Sequence, residues 1–440
     1  MDKKALSLPI LIGMVVGNMI GTGIFVLPAT LASFGTISIL SWGITSVGAM
    51  LLALTFTHLN RRYVETGGPY AYCKHAFGSL PAFVIAIIYW FSEVGSVAGL
   101  SIASVGYLGY IFSIFNANLP TFNPHFALAA ELTIIWTFTI INMLGIHFTG
   151  LVQLCLTIMK ISPLIIIVLF GLGHVQWMNF AHLTTGQFTP FSAISSAAAI
   201  TFWAFVGLEV ATVPAESTRG PRDITRATLW GTLISATIYI ASTIVLMGMI
   251  PTQQLATSQF PFAEAGSMIF GPMGALFIAI FACLSGIGAL NVCIFLQGQI
   301  IFSAARDRLF PAWLAKLSKK DAPIRGIFAS SLIVSLLLAL TMRPTLLQQF
   351  NFIIFLAALL TIIVYLASAI AEIKLSIQSN RLHGLATQST IIALLSAGYA
   401  IWMITSMQAT AIKIALIIMS CCVVFYYLFV KKYNQQKNSA

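Results

Sequence analysis

Apolar stretches long enough to cross a lipid bilayer recur about twelve times along this 440-residue chain, with only short connections between them. A spanning helix needs about 20 mostly apolar residues. Candidate spans in the first half are Leu8–Ala32, Ile37–Leu59, Leu80–Phe112, Ala127–Ile146, Leu151–Leu172 and Phe191–Val213. The second half offers Ala227–Ile250, Met273–Ala304, Ile327–Met342, Leu347–Ile370, Thr390–Met407 and Ile412–Val430. The expected fold class is an all-α membrane protein.

Composition agrees. Hydrophobic residues make up 59% of the chain and charged residues 8%, against roughly 25% charged in soluble domains. A soluble fold this apolar could not cover its surface with polar groups, so one integral membrane domain spanning 1–440 is expected. The net charge of +11 is spread through short loops, which suits orientation signals and anionic lipid heads and speaks against a nucleic-acid partner. Cys73, Cys155, Cys283, Cys293, Cys421 and Cys422 show no metal-ligand spacing, and neither metal nor cofactor is expected. Lys3 and Lys4 before an apolar run imitate a cleaved leader, but the run continues to Ala32 and reads as a retained first span.

Charge asymmetry sets the expected orientation. Alternate connections carry Arg61, Arg62 and Lys74, then Arg219, Arg222 and Arg226. The same side holds Arg306, Arg308, Lys316, Lys319, Lys320 and Arg325, then Lys374, Arg381 and the tail lysines. The opposite loops at Gly35–Thr36, Asn116–Phe126 and His174–Pro190 contain no Lys or Arg. By the positive-inside rule, both termini are expected in the cytoplasm.

Two spans have unusual centres. The first is interrupted by Gly17-Asn18-Met19-Ile20-Gly21-Thr22-Gly23, and the sixth carries Gly207 and a carboxylate between Trp203 and Glu209. They stand five spans apart, as equivalent elements of an inverted repeat would. Glycine in membrane helices more often serves close packing; the matched second interruption favours a site. Unwound backbone in lipid must line a cavity or be buried in protein. The N–H groups that open a half-helix suit a carboxylate, and freed carbonyls suit an ammonium group.

The stretch Gly17 to Phe25 with Leu27-Pro28 resembles the first helix of the amino acid–polyamine–organocation superfamily. So do Gly67-Gly68-Pro69-Tyr70-Ala71-Tyr72, Phe202 to Glu209 followed by Pro214-Ala215-Glu216-Ser217-Thr218, and Asp307-Arg308-Leu309-Phe310-Pro311. The resemblance covers nearly the whole chain and is nearest to bacterial arginine/agmatine and putrescine/ornithine antiporters. It implies a LeuT-like fold of two inverted five-helix repeats, roughly 8–172 and 191–370, with two additional helices at 390–430. It also implies alternating access in a bacterial inner membrane, without enzymatic activity. The substrate carboxylate would lie on Gly21, Thr22 and Gly23, and its amino group near Trp203, Val206 and Gly207. Trp203 would be an aromatic gate, Tyr89 and Tyr365 would be outer gating tyrosines, and Glu209 a gating or proton-linked acid. The arginine antiporters place an asparagine and a tryptophan where this chain has Val97 and Cys293.

Glu93, Glu131, Glu209 and Lys160 fall inside spans, at a cost of about 2.5–3.5 kcal/mol each if uncompensated at the centre. Glu131, close to a span end, reads better as a structural residue. Lys160 matches a lysine of proton-coupled carriers in the superfamily, which makes it a candidate for proton coupling. Glu93 sits where the third span would face a substrate side chain and would favour a cationic one. The expected partners are an amino acid or polyamine substrate, protons and membrane lipids, with a homodimer left open. A proton-coupled neutral amino acid permease is the alternative, and a non-transporting amino acid sensor is the alternative of another class. An enzyme would need a nucleophile with a base, or clustered metal ligands, and a channel a repeated filter segment; neither pattern is present in the sequence.

Overall fold

The computed structural model describes residues 5–115, 123–181, 183, 184, 186, 189–342, 346–378, 385–407 and 409–431. Lys3, Lys4, His182, Arg343, Arg381 and the tail beyond residue 431 lie outside them. Among the described residues there are sixteen α-helices and no strand, only an isolated bridge between Leu6 and Thr218.

Nine of these helices are long and apolar enough to cross a membrane. They are α3 (Ser38–Arg62), α5 (Ser79–Phe115), α6 (Pro124–Met143), α7 (Ile146–Gly171), α9 (Pro221–Met249), α12 (Pro272–Arg306), α14 (Leu346–Gln378), α15 (Leu385–Thr405) and α16 (Ala409–Phe425). The remaining spans are made of shorter pieces. The first is α1 (Leu8–Met19), a 3-10 turn and α2 (Leu27–Ala32). The sixth is α8 (Pro190–Trp203) followed by turns, and the ninth is α13 (Ile324–Leu340). The architecture is therefore an all-α membrane fold with the first and sixth spans broken.

Three short helices lie in connections. α4 (Pro69–Phe77) follows the basic end of α3, whereas α10 (Thr252–Thr257) and α11 (Pro261–Phe270) join α9 to α12 at the other end. Lipid gives no hydrophobic reward for bringing helices together, so close backbone approach through small residues does much of the packing. Gly231 of α9 receives Val15 of α1, and a Cβ on Gly13 would stand 3.1 Å from Leu154 of α7. In the hairpin of α11 and α12 backbone meets backbone: a Cβ on Gly266 would lie 2.8 Å from the Gly274 carbonyl oxygen. These contacts hold α1 against α7 and α9 and fix α11 to the helix that follows it.

Candidate functional site

The first break consists of two consecutive residues outside helical geometry. Ile20 adopts φ −84°, ψ 92° and Gly21 φ −109°, ψ −163°, both extended, before a 3-10 turn over Thr22–Phe25. Pro28 then restarts the helix in the first turn of α2, where its missing N–H costs nothing. The second break begins where α8 ends at Trp203, and Gly207 carries φ +99°. That conformation favours glycine, and a Cβ there would also collide with the Asn18 amide.

The two breaks face each other across a narrow cavity. Asn18, Met19, Gly21, Gly23 and Ile24 line it from the first span, with Trp203, Ala204 and Val206 from the sixth. Ser96 and Leu100 of α5, Cys293 of α12 and Ile354 of α14 complete the wall. The Trp203 indole lies directly on the backbone of Gly23.

Behind the first break, Lys160 is fully buried and donates from Nζ to the Gly17 carbonyl at 2.5 Å and the Ile20 carbonyl at 2.8 Å. Ile20 also accepts the Ser285 hydroxyl at 3.3 Å. The ammonium thus occupies the carbonyls that the end of α1 leaves without intrahelical partners. One turn away, Thr157 Oγ1 donates to Gly13 O at 2.8 Å and accepts from Gln153 Nε2. Asn291 and Asn142 extend that buried chain into α12 and α6.

Behind the second break, Glu209 accepts the Tyr89 hydroxyl at 2.7 Å and the Tyr365 hydroxyl, while the Gly207 N–H reaches Tyr365 Oη at 2.9 Å. Glu93 is 1% exposed, and neither carboxylate oxygen has a hydrogen-bond partner among the described residues. It stands beside the Cys293 thiol, which instead donates to Asn18 Oδ1 at 3.2 Å. Glu131 is also buried, with Oε1 unpartnered among the described residues.

Both approaches to the cavity are closed. At the end with α10 and α11, Phe25 meets Phe262 at 5.1 Å between ring centroids and Tyr107 at 6.2 Å. At the basic end, Arg306 makes two 2.8 Å bonds to Glu216, whose Oε1 also accepts the Thr66 N–H. Lys74 pairs with Asp307 at 2.6 Å, and Tyr70 donates to the same carboxylate. The Arg306 guanidinium holds the Glu216 carboxyl below the usual carboxylate range.

Of the residues singled out from sequence, Gly21, Gly23, Trp203 and Val206 line the cavity directly. Tyr89, Tyr365, Gly207 and Glu209 form one cluster behind it, and Glu93 and Lys160 lie behind Cys293 and α1 respectively. Thr22 turns its side chain away, towards Gly286 and Ser104, and its hydroxyl has no partner among the described residues. Asn18, Ser96 and Ile354 were not singled out. Asn18 carried a usable signal, as a lone amide in the last turn of an otherwise apolar half-helix.

A family model described as amino acid permease matches residues 6–438. The chain is 32% identical over 400 residues to the putrescine transporter PotE of Escherichia coli (strain K12), covering 88% of each chain. It is 30% identical over 426 residues to a putative arginine/ornithine antiporter of Bacillus subtilis (strain 168), covering 90% of each. It is also 32% identical over 345 residues to a cadaverine/lysine antiporter of Escherichia coli (strain K12), covering 77% of this chain and 75% of that one.

Proposed function

Because this chain belongs to the amino acid permease family of membrane transporters, we propose that it moves basic amino acids or polyamines by alternating access, through antiport or proton-coupled uptake. The observation that carries the cationic choice is Glu93, a buried carboxylate with no hydrogen-bond partner among the described residues, set beside the Cys293 wall of the cavity. A substrate ammonium or guanidinium would supply the missing partner through a charge-assisted contact. The named substrates of the three relatives, putrescine, arginine with ornithine, and cadaverine with lysine, support the same class.

In this reading the first-turn N–H groups after Gly21, at Thr22 and Gly23, hold an amino acid carboxylate. The backbone at Trp203, Val206 and Gly207 holds the ammonium. Trp203 closes over the substrate, and the cluster of Tyr89, Tyr365 and Glu209 gates the path to it. The two broken spans are equivalent members of inverted repeats over 8–172 and 191–370. The basic loops and both termini face the cytoplasm of a bacterial cell.

Lys160 favours coupling to protons, which also fits a proton-coupled carrier of neutral amino acids. Its ammonium is held by carbonyl oxygens alone, without an acidic partner among the described residues, so losing the proton would strip the charge from the two bonds that hold the end of α1. Exchange in proteoliposomes decides between the readings. Preloaded putrescine or ornithine should accelerate labelled arginine uptake, and Glu93→Gln should weaken cationic substrates far more than neutral ones. Preference for leucine-like substrates, unchanged by that substitution, would leave the neutral carrier.

A further inference from the structure

α9 starts at the basic end beside Arg222 and Arg226, and its 29 residues rise about 43 Å. α10 and α11 therefore cap the face opposite the basic loops, and α12 returns to Arg306. One carboxylate stands in that cap. Glu264, in the first turn of α11, accepts the Ser258 hydroxyl at 2.5 Å and pairs with no cation among the described residues. The other described carboxylates lie at the basic end or within spanning helices, so Glu264 is the one negative charge in the described connections of this face.

Aromatic rings connect it to the cavity. The Glu264 N–H donates to the Phe260 carbonyl at 3.0 Å, and Tyr110 stacks on Phe260, with ring centroids 4.3 Å apart. Phe260 meets Tyr107 at 5.1 Å, and the Tyr107 hydroxyl donates to the Phe25 carbonyl at 3.3 Å. Phe25 follows Ile24, which lines the cavity. Both Tyr110 and Phe260 remain partly exposed. Aromatic faces attract cations, and a neighbouring carboxylate adds a longer-range field that concentrates them.

We propose that Glu264, Tyr110 and Phe260 form a second site on the face opposite the basic loops, where an ammonium or guanidinium group waits above the closed aromatic seal. The site rests on the cationic reading of the substrate given above. It sets capture, not the chemistry of recognition in the central cavity, so its loss changes the concentration dependence of transport and leaves the maximal rate in place.

Uptake of labelled arginine and labelled putrescine by proteoliposomes tests it, with Glu264→Gln, Glu264→Asp and Tyr110→Leu compared with wild type. Glu264→Gln should raise KM about threefold or more at ~0.01 M salt, and the difference should shrink at ~1 M salt as the screening length falls from about 30 Å to about 3 Å. Tyr110→Leu should act in the same direction, and Glu264→Asp should stay near wild type. Unchanged KM for Glu264→Gln at low salt overturns the site. Since that substitution keeps the size of a partly exposed side chain, it decides even if Tyr110→Leu fails to insert. A wild type that carries neither probe overturns the cationic reading itself, and this site with it.

Discussion

The Trp203 indole occupies the space that any side chain on residue 23 would need, so the two broken spans touch at a point where only glycine fits. Gly23→Ala should force the ring off its seat and lower affinity for substrate by tenfold or more, about 1.4 kcal/mol. Trp203→Ala should reduce transport at normal membrane insertion, because the covering ring is gone while the helix end remains. Substrate-induced thermal shifts check the first, and uptake by proteoliposomes checks the second. A wild-type shift for Gly23→Ala, or wild-type uptake by Trp203→Ala, would reduce the contact to ordinary packing.

Lys160 makes a separate prediction. Lys160→Met keeps much of the volume but removes the donor to the Gly17 and Ile20 carbonyls. Leaving a buried acceptor unsatisfied costs about 1–3 kcal/mol, and Ile20 retains the weaker Ser285 bond. The variant should melt at a lower temperature. If the lysine carries the coupled proton, its uptake rate should also depend less on pH than that of wild type. A lower melting temperature with an unaltered pH profile would assign Lys160 to the structure of the break alone.

The pair of Arg306 and Glu216 closes the basic end and has its own pH signature. The guanidinium lowers the Glu216 pKa in the folded protein. Its contribution is therefore complete above the unpaired carboxylate pKa of about 4.3 and fades as pH falls through the lower folded value. Glu216→Gln should melt below wild type at neutral pH, and the gap should close under acid conditions. The pair is partly exposed, so the gap should be small and reduced by salt. A gap independent of pH would mean that the pair contributes through the fit of the side chain and not through charge.

The all-helical membrane fold and both broken spans were legible because lipid imposes strong rules: long apolar runs, short loops and a high cost for irregular backbone. Gly21 and Gly207 announced the breaks through the residue types needed there. The partners of the buried charges were less accessible. Nothing near Lys160 in sequence indicates that carbonyls 143 and 140 positions earlier receive its protons. Thr22 shows the opposite difficulty, since its place in a glycine-rich motif says nothing about which way its side chain turns. Ser96 and Ile354 were hidden because the cavity wall they share is assembled by helices far apart in sequence.

The glycine contact between α11 and α12 bears on how the face opposite the basic loops can open. Gly266 and Gly274 approach so closely that this hairpin has little freedom to flex internally. Phe262 belongs to the hairpin, and Phe25 to the turn after the first break. If the two move as separate bodies, their 5.1 Å ring contact is a seam between those bodies and not a flap within either one. Under the proposed alternating access, unsealing that face means parting Phe25 from Phe262, and a covalent tether between those two positions should arrest transport with that door shut.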